Sequence, residues 1–144
     1  MTGKKLTCLD CGQVNRVPSE RFADNPKCGT CGAALFAPKP KAIDGQILAK
    51  AARNDDVPLI VDFWAPWCGP CRQMAPEFEK AARTLGSAAR LVKLNTEADP
   101  AAGAKWQIRS IPTLVAFRLG REAARQSGAR GAAEIVRFAQ GGKA

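Results

Sequence analysis

The chemistry in this chain centres on six cysteines, which occur as three Cys-x-x-Cys pairs. The pairs are Cys8/Cys11, Cys28/Cys31 and Cys68/Cys71. Because a thiolate is both a nucleophile and a metal ligand, each pair is a candidate for disulfide exchange or for metal coordination. The chain has no histidine. That excludes imidazole as a base, a metal ligand or a pH switch.

The third pair follows a predicted strand and opens a predicted helix. Apolar, mostly β-branched residues at 59–61 predict a buried strand, which Pro66 ends, and helix-forming residues follow Cys71. Cys68 therefore lies at a helix N-terminus, where free N–H groups and a positive partial charge lower a thiol pKa. The position predicts dithiol–disulfide exchange, in which Cys68 attacks and Cys71 resolves. A metal pair or a structural bridge is the alternative.

The first two pairs have the spacing of a metal site. Sixteen residues separate them, and a glycine follows each pair. Two such knuckles predict a tetrahedral zinc site with four thiolate ligands, namely Cys8, Cys11, Cys28 and Cys31. The segment between them has few large apolar side chains, so we expect metal binding to supply folding free energy. Two disulfides, an iron or iron–sulfur site, and a redox-labile zinc site remain alternatives.

Length and charge narrow the class of protein. The chain has 144 residues and a net charge of +9, which suggests one domain with a small appendage. Neither a signal peptide nor an apolar stretch of about 20 residues is visible. We therefore expect a cytoplasmic, reducing compartment, where paired cysteines are more often metal-binding or catalytic than structural. The basic charge suits nucleic acid or acidic protein partners.

A Pro-Lys-Pro stretch at 38–40 predicts a linker. We place a four-cysteine module at residues 1–37 and the main domain at residues 38–144. Periodicity and capping residues predict, in the main domain, strands near 41–43, 58–64, 90–95, 113–118 and 122–127 and helices near 44–54, 70–85, 99–106 and 132–139. Alternation of strands and helices followed by a hairpin predicts an α/β fold, a mixed central sheet flanked by helices on both faces.

The stretch Trp67-Cys68-Gly69-Pro70-Cys71 after a strand resembles the active site of the thioredoxin family. The resemblance covers about residues 41–144. It implies a thioredoxin fold, reduction of disulfides in target proteins, and recycling by an NADPH-dependent thioredoxin reductase, without an organic cofactor bound to this chain. With the four-cysteine appendage, the chain is similar to the zinc-containing thioredoxin 2, or thioredoxin C, subclass. A monomer is expected.

The resemblance also implies roles for further residues. Asp62 matches the buried acid below the active site, and a carboxyl in an apolar strand should have a raised pKa and relay a proton to or from Cys71. Lys93 matches the lysine near that acid. Ile111-Pro112 matches the loop with a cis proline that contacts substrate backbone. The implied apolar docking patch comprises Trp67, Gly69, Pro70, Ile111, Pro112 and Gly128. Ser127 departs from the common family pattern.

A second function class remains open at this stage. The zinc module could bind nucleic acid or a protein, with the rest of the chain as a scaffold. Residues 1–40 offer only two aromatic side chains for stacking, Phe22 and Phe36, and the basic residues are dispersed. In a mixed version, the zinc module tunes or senses the redox state of the reductase. The sequence does not indicate where the module packs.

Overall fold

The computed structural model describes residues 3–141. The strands are β1 (Gly3–Thr7), β2 (Val14–Pro18), β3 (Lys41–Ala42), β4 (Leu59–Trp64), β5 (Arg90–Asn95), β6 (Thr113–Arg118) and β7 (Arg121–Ser127). The α-helices are α1 (Gly45–Asn54), α2 (Gly69–Leu85), α3 (Pro100–Lys105) and α4 (Ala132–Ala139). Short 3-10 turns span Ser19–Asp24 and Gly86–Ala88. Each strand and helix predicted for the main domain is present within one or two residues of its expected bounds.

The main sheet is mixed, as predicted. Its five strands lie in the order β3-β5-β4-β6-β7. Strands β3, β5 and β4 run parallel, whereas β6 is antiparallel to β4 and β7 is antiparallel to β6. Strand β4 is therefore central, and five of its six residues are buried. A strand covered on both faces reads as a continuous apolar run, which is why 59–61 was recognisable.

Alternate residues of β4 face two separate apolar layers. Ile60 packs with Phe78 of α2 and Ile135 of α4 on one face. Leu59, Val61 and Phe63 pack with residues of α1 and α3 on the other face. This alternation follows from the two-residue period of a strand. It places Asp62, which follows Val61, on the face that α2 covers.

The four-cysteine module contains a β-hairpin that the sequence did not predict. Strands β1 and β2 pair antiparallel, with Leu6 opposite Asn15. The small core around them includes Leu6, Val17, Leu35 and, from the main domain, Val57. The strands escaped prediction because they contain few apolar residues, and their core is completed by residues distant in the chain, such as Leu35 and Val57.

A buried ion pair of the main domain holds the four-cysteine module through hydrogen bonds. Arg90 Nη1 donates to Asp55 Oδ2 at 2.6 Å, and both side chains are 2% exposed. Arg90 also donates to the carbonyls of Leu35 (3.1 Å) and Thr7 (2.8 Å), and the Thr7 N–H donates to Asp55 Oδ1 at 2.7 Å. These four residues form what we call the Arg90 hub. The hub thus uses two side chains of the main domain to satisfy backbone groups of the module.

The hub also locates the module relative to the redox cysteines. Arg90 begins β5 and pairs in register with Leu59, the first residue of β4. Cys68 follows the other end of β4. The module therefore packs at the end of the sheet opposite Cys68, which the sequence did not indicate. The division of the chain at residue 38 stays a prediction.

The hub makes Arg90→Met a sharp test of this packing. The substitution leaves the Asp55 carboxylate buried without its cation and removes the donors to two buried carbonyls. We expect the free energy of unfolding to fall by about 3–5 kcal/mol, measured by urea denaturation at fixed redox and metal state. Arg53→Met, at an exposed arginine of α1, is the matched control. A loss no larger than that of the control would contradict the role of the hub.

Candidate active site and metal site

Cys68 and Cys71 form a disulfide at the N-terminus of α2, with their Cα atoms 5.3 Å apart. Cys68 is the N-cap residue, and the Cys71 N–H donates to Cys68 Sγ at 3.2 Å. Strand β4 ends at Trp64, and the Cys68 N–H donates to the Ala65 carbonyl at 3.2 Å across the turn. A sulfur that caps a helix of this length meets free N–H groups and the positive end of the helix dipole. These groups stabilise a Cys68 thiolate once the disulfide is opened.

The disulfide lies just beneath the protein surface. Cys68 is 5% exposed and Cys71 is 2% exposed. By contrast, the Trp67 side chain is 67% exposed and Pro70 is also exposed. A partner that reaches Cys68 must therefore contact these flanking residues. Gly69 has no neighbouring atom within 4 Å of where a Cβ would lie, so this position is open to a docking partner.

The loop that precedes β6 lies against Cys68. The Ile111–Pro112 peptide bond is cis, and the Ile111 carbonyl oxygen lies 3.9 Å from Cys68 Sγ. The Gly128 N–H donates to the Pro112 carbonyl at 2.8 Å. Gly128 has φ +95°, a conformation that favours glycine. The structure therefore brings Ile111, Pro112 and Gly128 together beside Cys68.

Hydroxyl groups hold this loop in a way that the sequence analysis missed. Thr113 Oγ1 donates to the Ser110 carbonyl at 2.7 Å and lies 3.1 Å from Ser127 Oγ. Thr113 and Ser127 are register partners across β6 and β7. A hydroxyl residue directly after the loop proline was the available signal, but its partner fourteen residues away was visible only in the fold.

Asp62 is fully buried in β4, and neither of its carboxyl oxygens has a hydrogen-bond partner among the described residues. Burial raises its pKa from 3.8 to about 7, while the positive charge of Lys93 opposes the rise. Lys93 is the register partner of Asp62 on β5, and its Nζ lies 4.4 Å from the centre of the Trp64 ring. By the alternation of β4, the Asp62 carboxyl lies on the face of the sheet that α2 covers, and α2 is the helix that carries Cys71.

The four N-terminal cysteines form two matching knuckles. The Cys11 N–H donates to Cys8 Sγ and the Thr30 N–H donates to Cys28 Sγ, each at 3.4 Å. The glycine after each pair has a positive φ, +84° at Gly12 and +81° at Gly32. Both knuckles close with a 2.9 Å bond from the glycine N–H to the carbonyl of the first cysteine. The glycines therefore serve the tight turns that the sequence suggested.

The sulfur positions suit a four-coordinate metal. The four sulfurs lie within 4.8 Å of one another, and the shortest separations are 3.5 Å for Cys8–Cys31 and 3.6 Å for Cys11–Cys28. Tetrahedral zinc with Zn–S bonds of ~2.3 Å requires sulfurs about 3.8 Å apart. The donor set therefore fits zinc.

Comparison with known proteins decides the family. The family model described as Thioredoxin matches residues 39–141, and the one described as Thioredoxin 2, N-terminal, matches residues 7–33. The chain belongs to the thioredoxin family. It is 41% identical to Thioredoxin C-3 of Corynebacterium nephridii over 92% of this chain and 91% of that protein. It is 34% identical to the chloroplastic M-type thioredoxin of Chlamydomonas reinhardtii, over 83% and 88% of the two chains.

Solved structures agree with this assignment. A chloroplastic thioredoxin z superposes with a TM-score of 0.67 at 33% identity, over 72% of this chain and 93% of that one. This thioredoxin is a thiol–disulfide oxidoreductase with an N-terminal zinc-ribbon domain of four clustered cysteines. The predicted fold and the resemblance to zinc-containing thioredoxins are confirmed. Among residues 3–141, no helix is both long and apolar enough to cross a membrane.

The buried carboxyl of Asp62 predicts a dependence of stability on pH. The folded state keeps this proton up to about pH 7, whereas the unfolded chain releases it near pH 4. Stability is therefore lost as pH rises through that window. At ~1.4 kcal/mol per pKa unit, a rise from 3.8 to about 7 makes the loss roughly 4 kcal/mol. We expect oxidised Asp62→Asn, which cannot titrate, to lack this loss when the free energy of unfolding is measured from pH 4 to pH 8.

Exposed Asp24→Asn is the matched control for removal of one carboxyl group. Its free energy of unfolding should follow that of the wild type across the same pH range. If Asp62→Asn also followed the wild type at every pH, Asp62 could not be the buried, proton-bearing group described here.

Proposed function

We propose that this thioredoxin reduces target disulfides by a two-step exchange in which Cys68 is the nucleophile and Cys71 the resolving thiol. The observation that carries the proposal is the position of Cys68. Its sulfur caps α2, accepts the Cys71 N–H at 3.2 Å, and lies beside the Ile111 carbonyl just beneath the protein surface. A sulfur in that position is stabilised as a thiolate and is within reach of a docked partner.

In the first step, the Cys68 thiolate attacks one sulfur of the target disulfide. A mixed disulfide forms, and the other target sulfur leaves as a thiolate that takes up a proton. In the second step, the Cys71 thiolate attacks Cys68 Sγ, and the Cys68–Cys71 disulfide forms. The second target sulfur then leaves and is protonated. Two electrons pass from the dithiol to the target.

The second step requires that Cys71 lose its proton. Asp62 is the proposed acceptor, because a carboxyl with a pKa of about 7 changes its protonation state near neutral pH. Its oxygens have no hydrogen-bond partner in residues 3–141 and are free to take that proton. Lys93 favours the ionised carboxylate and so keeps the pKa from rising further.

Target binding is assigned to the surface around Cys68. Trp67, Gly69 and Pro70 supply the exposed rim on the helix side. The proposed loop side comprises Ile111 and Pro112, which lie next to the sulfur, and Gly128, which bonds to the Pro112 carbonyl. A flexible partner segment lying here would place its own sulfur against Cys68.

The cycle closes when an external reductant reopens the Cys68–Cys71 disulfide. From membership of the family, we propose a flavin- and NADPH-dependent thioredoxin reductase as that partner, acting on a monomeric thioredoxin in the cytoplasm. Electrons would then flow from NADPH through the reductase and this dithiol to protein disulfides. This chain itself needs no organic cofactor for the exchange.

For the four N-terminal cysteines we propose one structural zinc ion. The thiolates of Cys8, Cys11, Cys28 and Cys31 would hold it, and its charge would offset their mutual repulsion. The part of the four-cysteine module that the structure describes packs on the main sheet through the Arg90 hub, at the end opposite Cys68. That location supports a role in stability rather than in the exchange itself.

Two serine variants separate the roles of the redox cysteines. We expect Cys68→Ser to abolish reduction of insulin disulfides, because it removes the attacking sulfur. Cys71→Ser should still attack but should accumulate the mixed disulfide, detectable by mass spectrometry as the thioredoxin–target adduct. The double variant is the control for non-specific adducts. Full activity of Cys68→Ser would overturn the mechanism.

Metal analysis combined with thiol counting tests the zinc proposal. We expect one zinc per reduced chain, two thiols that react rapidly with a thiol reagent, and six after denaturation in a chelator. Cys8→Ser should lose most of the zinc, whereas Cys68→Ser should retain it and lose one rapid thiol. Zinc retained in full by Cys8→Ser, or iron in its place, would contradict the assignment.

A further inference from the structure

A polar groove of about 490 Å³ lies beside the loop that covers Cys68. It is lined by Gln107, Arg109, Ser110, Thr113, Glu122, Arg125 and Ser127. The groove contains two arginines and one carboxylate, and these charges are not equivalent. Their partners decide what the groove can bind.

Arg125 is fully engaged within the protein. Its guanidinium bonds to the Glu122 carboxylate at 2.8 and 2.9 Å. It also donates to the carbonyls of Gln107 (3.1 Å) and Trp106 (2.8 Å). The Arg125–Glu122 pair therefore fixes the end of α3 against β7 and leaves no net charge for a ligand.

Arg109 is exposed, and among the described residues its guanidinium has neither an ion-pair nor a hydrogen-bond partner. The hydroxyl of Ser110 next to it is also exposed and without a partner in that part of the chain. The groove thus presents one free cation and one free hydroxyl, the groups that a carboxylate binds.

The position of Arg109 relates this charge to the exchange reaction. Arg109 lies two residues before Ile111, whose carbonyl is 3.9 Å from Cys68 Sγ. The chain bends at Ser110 and Ile111, and two residues span at most about 7 Å. A target segment whose cysteine reaches Cys68 would therefore place a side chain one or two residues from that cysteine near the Arg109 guanidinium.

We propose that Arg109, assisted by the Ser110 hydroxyl, selects target segments that carry an aspartate or glutamate within two residues of the reacting cysteine. The inference rests on the proposed function, because it concerns the targets of the same site. The complementary charges raise the rate at which such segments react and disfavour lysine at the same position.

Single-cysteine peptides test this preference directly. Three peptides carry aspartate, asparagine or lysine two residues from the cysteine, are otherwise identical, and are activated as mixed disulfides with thionitrobenzoate. Fully reduced protein attacks the peptide sulfur and releases the coloured thiolate, so stopped-flow absorbance gives the second-order rate constant. The quantity compared is the ratio of the aspartate rate to the lysine rate within each variant.

We expect a ratio of roughly three to ten for the wild type at low ionic strength, falling toward one in high salt, as for exposed charge pairs. Arg109→Gln should bring the ratio close to one, and Arg109→Glu should invert it. Arg121→Glu makes the same charge change at the exposed turn between β6 and β7, at the far end of the sheet. This control should keep the wild-type ratio.

The outcomes distinguish the two levels of the proposal. An unchanged ratio in Arg109→Glu, or an equal change in Arg121→Glu, would overturn the selection by Arg109 and indicate only the general field of a basic protein. Reaction of the wild type with the asparagine peptide reports the exchange function itself. Its absence would overturn the proposed function, whatever the ratio.

Discussion

The redox site depends on the hydrogen bond from the Cys71 N–H to Cys68 Sγ, because this bond places the sulfur at the positive end of α2. The geometry is set by elements on both sides of the bond. Strand β4 is buried on both faces and ends at Trp64, which fixes where the turn begins. Helix α2 is fixed in turn by apolar residues such as Met74 and Phe78, which pack against the sheet.

Strand β5, which pairs with β4, carries the contact with the four-cysteine module. Strand β5 has Arg90 at its first position and Lys93 three residues later, opposite Asp62. The Arg90 guanidinium forms the hub at the start of the strand, and Lys93 is the register partner of the buried Asp62. The module and the redox site therefore lie at opposite ends of one rigid element. This arrangement separates the four-cysteine cluster from the Cys68–Cys71 disulfide.

The sequence predicted the main domain well because its elements carry strong local signals. Strand 59–61 is continuously apolar, Asp44 and Asp99 cap α1 and α3 through their side chains, and the stretch around Cys68 is specific to the family. The hub could not be predicted, because its contacts are distant in the sequence. Arg90 bonds to Asp55, Leu35 and Thr7, which precede it by 35, 55 and 83 positions, respectively. An arginine at the start of a strand gives no local signal of burial. The β1–β2 hairpin was missed for a related reason, since its core includes Leu35 and Val57, which are distant in the chain.

Asp62 shows why a site residue can conflict with stability. A leucine in β4 would fit the apolar surroundings better than a carboxyl whose oxygens have no hydrogen-bond partner among the described residues. The same burial raises the pKa to about 7, which an exposed aspartate does not reach. If Asp62 is the proton acceptor for Cys71, the destabilisation and the catalytic value therefore have one physical cause. Any substitution that relieves the first removes the second.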